Sequence, residues 1–179
     1  MKLSVLVALL LLCGVGAVFA EPLAPTLKND LVVLDGKKVR RFDDGKLASA
    51  KYVAVYYSAH WCPPCRAFTP DLVKWYEKTK AEHPEFELVF VSSDEDEKAM
   101  EKYMAEAKMP WPALRYGKKA QNKSLTVHGG AGIPCLVLLD ADGKVLSNSF
   151  VDGKYVGPRK VLEDMDQLFA GGSGQGAKP

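Results

Sequence analysis

Cysteine is scarce in this chain: four in 179 residues, Cys13, Cys62, Cys65 and Cys135. A small scaffold stapled by disulfides needs more of them, in even number. Histidine is scarcer still, and His60, His83 and His128 form no second ligand pair that could join Cys62 and Cys65 around a tetrahedral zinc. Charge of neither sign is in excess, since 24 Lys plus Arg against 22 Asp plus Glu give a net charge of +2. No basic stripe is present, which removes the footprint expected of a nucleic-acid binder or of a protein held on an anionic membrane surface. No internal repeat stands out, and long apolar runs are missing except at the N-terminus.

That exception spans the first twenty residues. Met1-Lys2 is a short basic start, residues 3–18 are almost continuously apolar, and Val18-Phe19-Ala20 puts small residues where a signal peptidase reads. The pattern predicts a secretory signal over 1–20, one domain over 21–170 and a flexible Gly-rich tail over 171–179. An uncleaved anchor is the competing reading, but the run is short for a membrane span and no stop-transfer pattern follows. A lipid-modified Cys13 is disfavoured by Leu12 before it. Export to a periplasm, to the outside or into a secretory lumen would leave Cys62, Cys65 and Cys135 in an oxidising compartment. One close pair and one odd thiol there read as chemistry rather than scaffolding.

Apolar periodicity lays out the domain. Residues 31–34 and 38–42 flank Asp35-Gly36 as a hairpin. "YVAVYY" (52–57) and "FELVFV" (86–91) read as strands covered on both faces. Between them Phe68, Leu72, Trp75, Tyr76 and Thr79 recur at helical spacing, up to His83-Pro84. Asp94, with Glu97 as reciprocal partner, is expected to cap a helix carrying Met100, Tyr103, Met104 and Ala107 that ends at Met109-Pro110. Residues 133–140 and 144–150 predict an antiparallel hairpin through Ala141-Asp142-Gly143. Pro158 opens a last helix with Val161, Leu162, Met165, Leu168 and Phe169 on one face. This order predicts a single α/β domain with a mixed central sheet flanked by helices.

The stretch "SAHWCPPCRAFTPDL" (58–72) falls at a strand-to-helix junction. A helix start offers unpaired N–H groups and the positive end of the dipole, which favour a thiolate at Cys62. Pro63 and Pro64 are tolerated there because a first-turn N–H has no helical partner to lose. Cys62 is then expected to be the exposed attacking thiol, and Cys65, one turn further in, the shielded one. Such a pair supports thiol–disulfide exchange in either direction. A purely structural disulfide gains little from closing so short a loop. Zinc lacks ligands, and a copper site of this kind usually wants wider cysteine spacing and a suitable His. No metal or other cofactor is expected.

"WCPPC", the "TP" that follows and a later "GIP" leading into a strand resemble the thioredoxin superfamily. "YYSAHWCPPCRAFTPDLVKWYEK", "FELVFVSSDEDE", "MPWPAL" and "GIPCLVLLDADGKVL" are similar in order and spacing to its nucleoredoxin and tryparedoxin branch, over about residues 31–169. The resemblance implies the thioredoxin fold and a thiol–disulfide oxidoreductase. It also implies protein disulfides as substrates and an unidentified thiol donor; a monomer is expected, and the leader points to exported partners, with membrane contact only through a partner reductase or oxidase. Cys62 matches the attacking cysteine and Cys65 the resolving one. Trp61 matches the residue that shields the pair and lines a docking surface. Pro134 matches a cis proline that faces the pair, keeps metal away and lets the Ile133 backbone pair with substrate. Pro110 and Trp111 match a segment of loop and core packing.

Several residues depart from the pattern. Thioredoxins proper carry a buried Asp six positions before the first cysteine, and Tyr56 stands there instead, which leaves the proton acceptor for Cys65 unassigned, with water as a candidate. Ser93 replaces a tryparedoxin Trp, so a trypanothione-type donor is not supported. A secretory leader is foreign to a branch that is mostly intracellular. Cys135 reads as a small buried hydrophobe, with a third-thiol role as the alternative. His60 reads as an exposed loop residue rather than a thiolate stabiliser, and His128 as a loop residue beside glycines. Oxidases of this fold usually carry a polarising residue such as His between the cysteines. Two prolines supply none, so reduction is the expected direction; oxidation or isomerisation, and a non-enzymatic copper-binding or redox-chaperone module, are the alternatives.

Overall fold

A computed structural model describes residues 27, 29–36, 38–43 and 45–172; the predicted leader (1–20) and positions 173–179 of the predicted tail lie outside the described residues. The chain opens with the hairpin β1 (Leu31–Asp35) and β2 (Lys38–Arg41), turning at Gly36, whose φ of +63° suits glycine. A short α1 (Gly45–Ala48) leads into β3 (Tyr52–Ser58), α2 (Pro63–Glu82), β4 (Phe86–Ser92), α3 (Glu97–Glu106) and β5 (Ala113–Leu114). Then come α4 (Lys123–Thr126), β6 (Cys135–Asp140), β7 (Val145–Asn148), a small hairpin of β8 (Phe150–Val151) with β9 (Lys154–Tyr155), and α5 (Pro158–Gly172). Seven strands form one mixed sheet in the order β2-β1-β5-β4-β3-β6-β7, parallel at β3–β4 and β4–β5 and antiparallel elsewhere.

Side-chain alternation along β3 divides the interior into two layers. Ala54 and Tyr56 face a layer shared with α2, α3 and α5, through residues such as Leu72, Met104 and Met165. Val53, Val55 and Tyr57 face the other, with Leu27, Leu47 of α1 and Leu125 of α4. The steps β3 to β4 and β4 to β5 move the same way across the sheet, so connections of one hand put α2 and α3 on one face. Burying a side chain of this size contributes about 1.5–3 kcal/mol, which makes these layers the main source of stability. Trp111 is fully buried, with its ring 5.3 Å from that of Tyr76 and 6.3 Å from that of Tyr56.

Four details differ from the sequence reading. The cap of α3 is Asp96, which accepts from Ala99 N–H at 2.8 Å, because the Asp94 carboxylate is engaged elsewhere. β6 begins at Cys135 rather than Ile133, since Pro134 has no N–H for the ladder. Its partner β7 stops at Asn148: Ser149 N–H still donates to Leu136 O at 2.9 Å, but its carbonyl accepts from Val156 N–H at 2.8 Å, so Leu136 N–H donates to the Ser149 hydroxyl instead. α5 runs on through Gly171 and Gly172, the first two positions of the predicted tail. Among the described residues no helix is long and apolar enough to cross a membrane.

Candidate active site

β3 delivers the cysteine motif and α2 presents it. Cys62 is the N-cap of α2 with extended backbone (φ −89°, ψ 109°), and Pro63 and Pro64 fill the first two helical positions. Neither proline has an N–H, so the first amide free to point out of the helix is that of Cys65, which donates to Cys62 Sγ at 3.3 Å. Arg66 N–H closes the first full turn on Cys62 O at 3.1 Å. Cys62 and Cys65 are joined in a disulfide with Cα atoms 5.2 Å apart. When that bond opens, one aimed amide and the helix dipole favour negative charge on the Cys62 sulfur.

Cys62 is less open than a helix start suggests: 3 % exposed, against 0 % for Cys65. The reason is tertiary. Its sulfur lies on the floor of an open groove of about 540 Å³ walled by Trp61, Pro63, Ser93 and residues 130–133. Ile133 packs on the pair, and its carbonyl oxygen is 3.8 Å from Cys62 Sγ. The Ile133–Pro134 peptide is cis, and Tyr155 donates its hydroxyl to Pro134 O at 2.8 Å. Trp61 is 56 % exposed, with its indole N–H pinned to Ser93 O at 3.1 Å.

Behind Cys65 lies a cluster of hydroxyls. Thr69 donates to Cys65 O at 2.8 Å, and its Oγ1 is 2.9 Å from the Tyr56 hydroxyl and 2.5 Å from that of Tyr103. A threonine has a single O–H, so both tyrosines donate to it, and Ser58, 3.1 Å from the Tyr103 oxygen, donates in turn to Tyr103. Burial raises the Tyr56 phenol far above its ordinary value, so it stays neutral. Across the sheet, Tyr57 donates its hydroxyl to Leu125 O, and its ring lies under Gly129, where a Cβ would stand 3.1 Å away. At Gly130 a Cβ would fall 2.1 Å from the Phe150 ring. The glycine run thus lies flat on two aromatic rings, and this sets Ile133 against the cysteines.

The Asp94 carboxylate accepts His60 N–H at 2.7 Å and the Ser92 hydroxyl at 2.7 Å, tying the cysteine loop to the end of β4. His60 is half-buried rather than loose, with Nε2 2.8 Å from Glu106 Oε2 and its ring against Tyr103, so it is directed to α3 rather than to Cys62. Burial lowers the His128 pKa. Cys135 is a free, buried thiol paired with Tyr57 across the β3–β6 ladder, in the layer below the glycine loop, and burial pushes its pKa up. Thr69, Tyr103, Phe150 and Tyr155 were not singled out as site residues by the sequence. Only Thr69, in the "TP" pair, carried a signal.

A disulfide at a helix start opposite a cis-proline loop, on a mixed sheet of this order, is the arrangement of a thioredoxin-fold domain with a Cys-x-x-Cys pair. A thioredoxin-like family model matches residues 50–145. Nucleoredoxin of Mus musculus is 42% identical over 150 residues, which take up 83% of this chain and 30% of that protein. Tryparedoxin of Trypanosoma brucei brucei is 38% identical over 120 residues, 65% of this chain and 75% of that one. The crystal structure of thioredoxin from Wuchereria bancrofti has a TM-score of 0.59 at 35% identity, covering 84% of this chain and 97% of that one. The chain belongs to the thioredoxin-like family, and it spans about a third of the length of the nucleoredoxins it matches.

Proposed function

We propose that this chain is an exported thiol–disulfide oxidoreductase that reduces protein disulfides through a Cys62/Cys65 dithiol–disulfide cycle. One observation carries the reading: the Cys62–Cys65 disulfide caps α2 on the floor of an open groove, with the Ile133 carbonyl 3.8 Å from Cys62 Sγ. In the reduced protein the Cys62 thiolate attacks one sulfur of a substrate disulfide. That S–S bond breaks, the leaving sulfur takes up a proton, and a Cys62–substrate disulfide forms. The substrate strand lies along the Ile133 backbone, with Trp61 and Pro134 bounding it. The Cys65 thiolate then attacks Cys62 Sγ, restores the intramolecular bond and releases the second substrate thiol. Two electrons have passed to the substrate, and an external thiol donor returns them. No carboxylate stands in the Tyr56 position to take the Cys65 proton, and Cys65 is fully buried, so a water admitted when the disulfide opens serves.

Reduction is supported by the two prolines, which offer the thiolate no polarising group, and export by the apolar run over 3–18. A monomer that meets membranes only through a partner reductase completes the reading. Insulin-disulfide reduction with dithiothreitol as donor tests the activity: the parent protein is expected to accelerate it and Cys62→Ser to leave it at the uncatalysed rate. No acceleration by the parent would count against the proposal. Export predicts a mature N-terminus at Glu21 when a secreting host makes the chain, readable by intact mass.

A further inference from the structure

We propose that Arg159 gives the subsite on the far side of the Pro63–Pro64 ridge a charge preference, reading an acidic residue beside the apolar side chain that one arm of a polypeptide substrate places there. The inference rests on the redox reading above and adds a sequence preference to it. The subsite is a groove of about 350 Å³ walled by Pro64, Phe68, Pro134, Val156 and Arg159, among others. It adjoins the redox groove: Pro64 walls both, and the consecutive residues Ile133 and Pro134 wall one each. A polypeptide paired along Ile133 therefore runs from one groove into the other without leaving the surface. The volume and mostly apolar lining suit a buried side chain with a few polar groups fixing its orientation.

Charge singles out one residue. Among the described residues walling either groove, Arg159 alone is charged. Its position is also fixed: the guanidinium carbon lies 5.8 Å from the centroid of the Phe68 ring, and one N–H donates to Asp71 Oδ2 at 2.6 Å. Both contacts come from α2, so the helix that carries the cysteines also sets the guanidinium at the rim. The side chain is still 68% exposed. A guanidinium has five N–H donors in a rigid fork, and the Asp71 contact leaves others open to a carboxylate from the substrate. An arginine already held in place loses less freedom on binding than a mobile one, and a rim charge sets partner choice more than raw affinity.

Disulfide-linked peptides carrying Leu followed by Asp, Asn or Lys, placed before or after the cysteine in two series, test this beside the neutral bis(2-hydroxyethyl) disulfide. The parent is expected to favour Asp over Lys in kcat/KM by about threefold to fivefold in one series at low ionic strength, and less in high salt. Arg159→Glu is expected to reverse the order, and Asp71→Asn to widen the parent's preference by removing the negative charge that offsets the guanidinium, which the Phe68 ring still seats. Exchange of the small disulfide with no Asp/Lys preference in either series would overturn the subsite, as would an Asp preference that survives in Arg159→Glu. A parent that exchanges neither the small disulfide nor any peptide would overturn the redox reading itself, and the subsite with it.

Discussion

Tyr56 and Tyr57 leave β3 through opposite faces, and each braces one half of the site. On the Tyr56 side, α2 is held by hydroxyls bonded to one another, within a layer where the Phe68, Phe90 and Trp111 rings lie 5.9, 6.2 and 6.3 Å from that of Tyr56. On the Tyr57 side, the loop leading to Ile133 is held by glycines pressed onto rings. Its base at α4 is held by Asp30, which bonds Asn122 at 2.9 Å and Arg115 at 3.0 Å and lies 3.5 Å from Lys118. The sulfur-bearing half is redundantly bonded, so losing one hydroxyl leaves others in place. The loop half depends on side chains being absent, so one added carbon is the larger insult.

Gly130→Ala should therefore show the largest effect. Its new methyl meets the Phe150 ring, and overpacking of this kind costs about 1–3 kcal/mol, readable as a lower urea midpoint with slower exchange. Adding Phe150→Ala should return part of the loss, and strict additivity would show that the two residues are not in conflict. Tyr57→Phe comes next at about 1–2 kcal/mol, because Leu125 O loses the hydroxyl it accepts. Tyr56→Phe should cost less, about 0.5–1 kcal/mol, since Thr69 keeps Tyr103 and Cys65 O. Equal losses, or a larger one at Tyr56, would break the contrast between the halves.

The smallest effect is the share of the pH dependence that Asp30 brings to the loop half. Burial acts to raise the Asp30 pKa, but hydrogen bonds from Asn122 and Arg115 and the charge of Lys118 outweigh it, so the folded value lies below the ordinary one. A depressed folded pKa contributes stability above the unfolded value of about 3.9, and that stability is lost as pH falls through the folded one. Thermal unfolding as a function of pH should thus show the parent ahead of Asp30→Asn at neutral pH, with the two converging below about pH 4. A constant gap down to the lowest pH would remove the carboxylate's charge from the account.

The long elements were legible because their periods repeat. β3, β4, α2 and α5 run for 7, 7, 20 and 15 residues, enough for alternation or helical spacing to show. α1, β5, α4, β8 and β9 have two to four residues each, too few for any period to recur. The two cysteines and the proline at 134 were also visible in the letters. Their surroundings were not, because each depends on a distant partner. "SSDEDE" reads with Asp94 as the cap, but the His60 N–H and the Ser92 hydroxyl engage that carboxylate, and Asp96 caps α3 instead. Cys62 reads as exposed from local geometry alone, until Trp61 and residues 130–133 wall it in. Gly130 is plain in the sequence, but its reason is a ring twenty positions on.

Trapping the exchange intermediate tests the central claim most directly. Reduced Cys65→Ser protein, mixed with a disulfide-containing protein and resolved by non-reducing electrophoresis and peptide mass mapping, should yield a covalent adduct through Cys62. The adduct should vanish on adding thiol and should not form with Cys62→Ser. An adduct through Cys135, or none at all, would contradict an attacking Cys62 and a resolving Cys65.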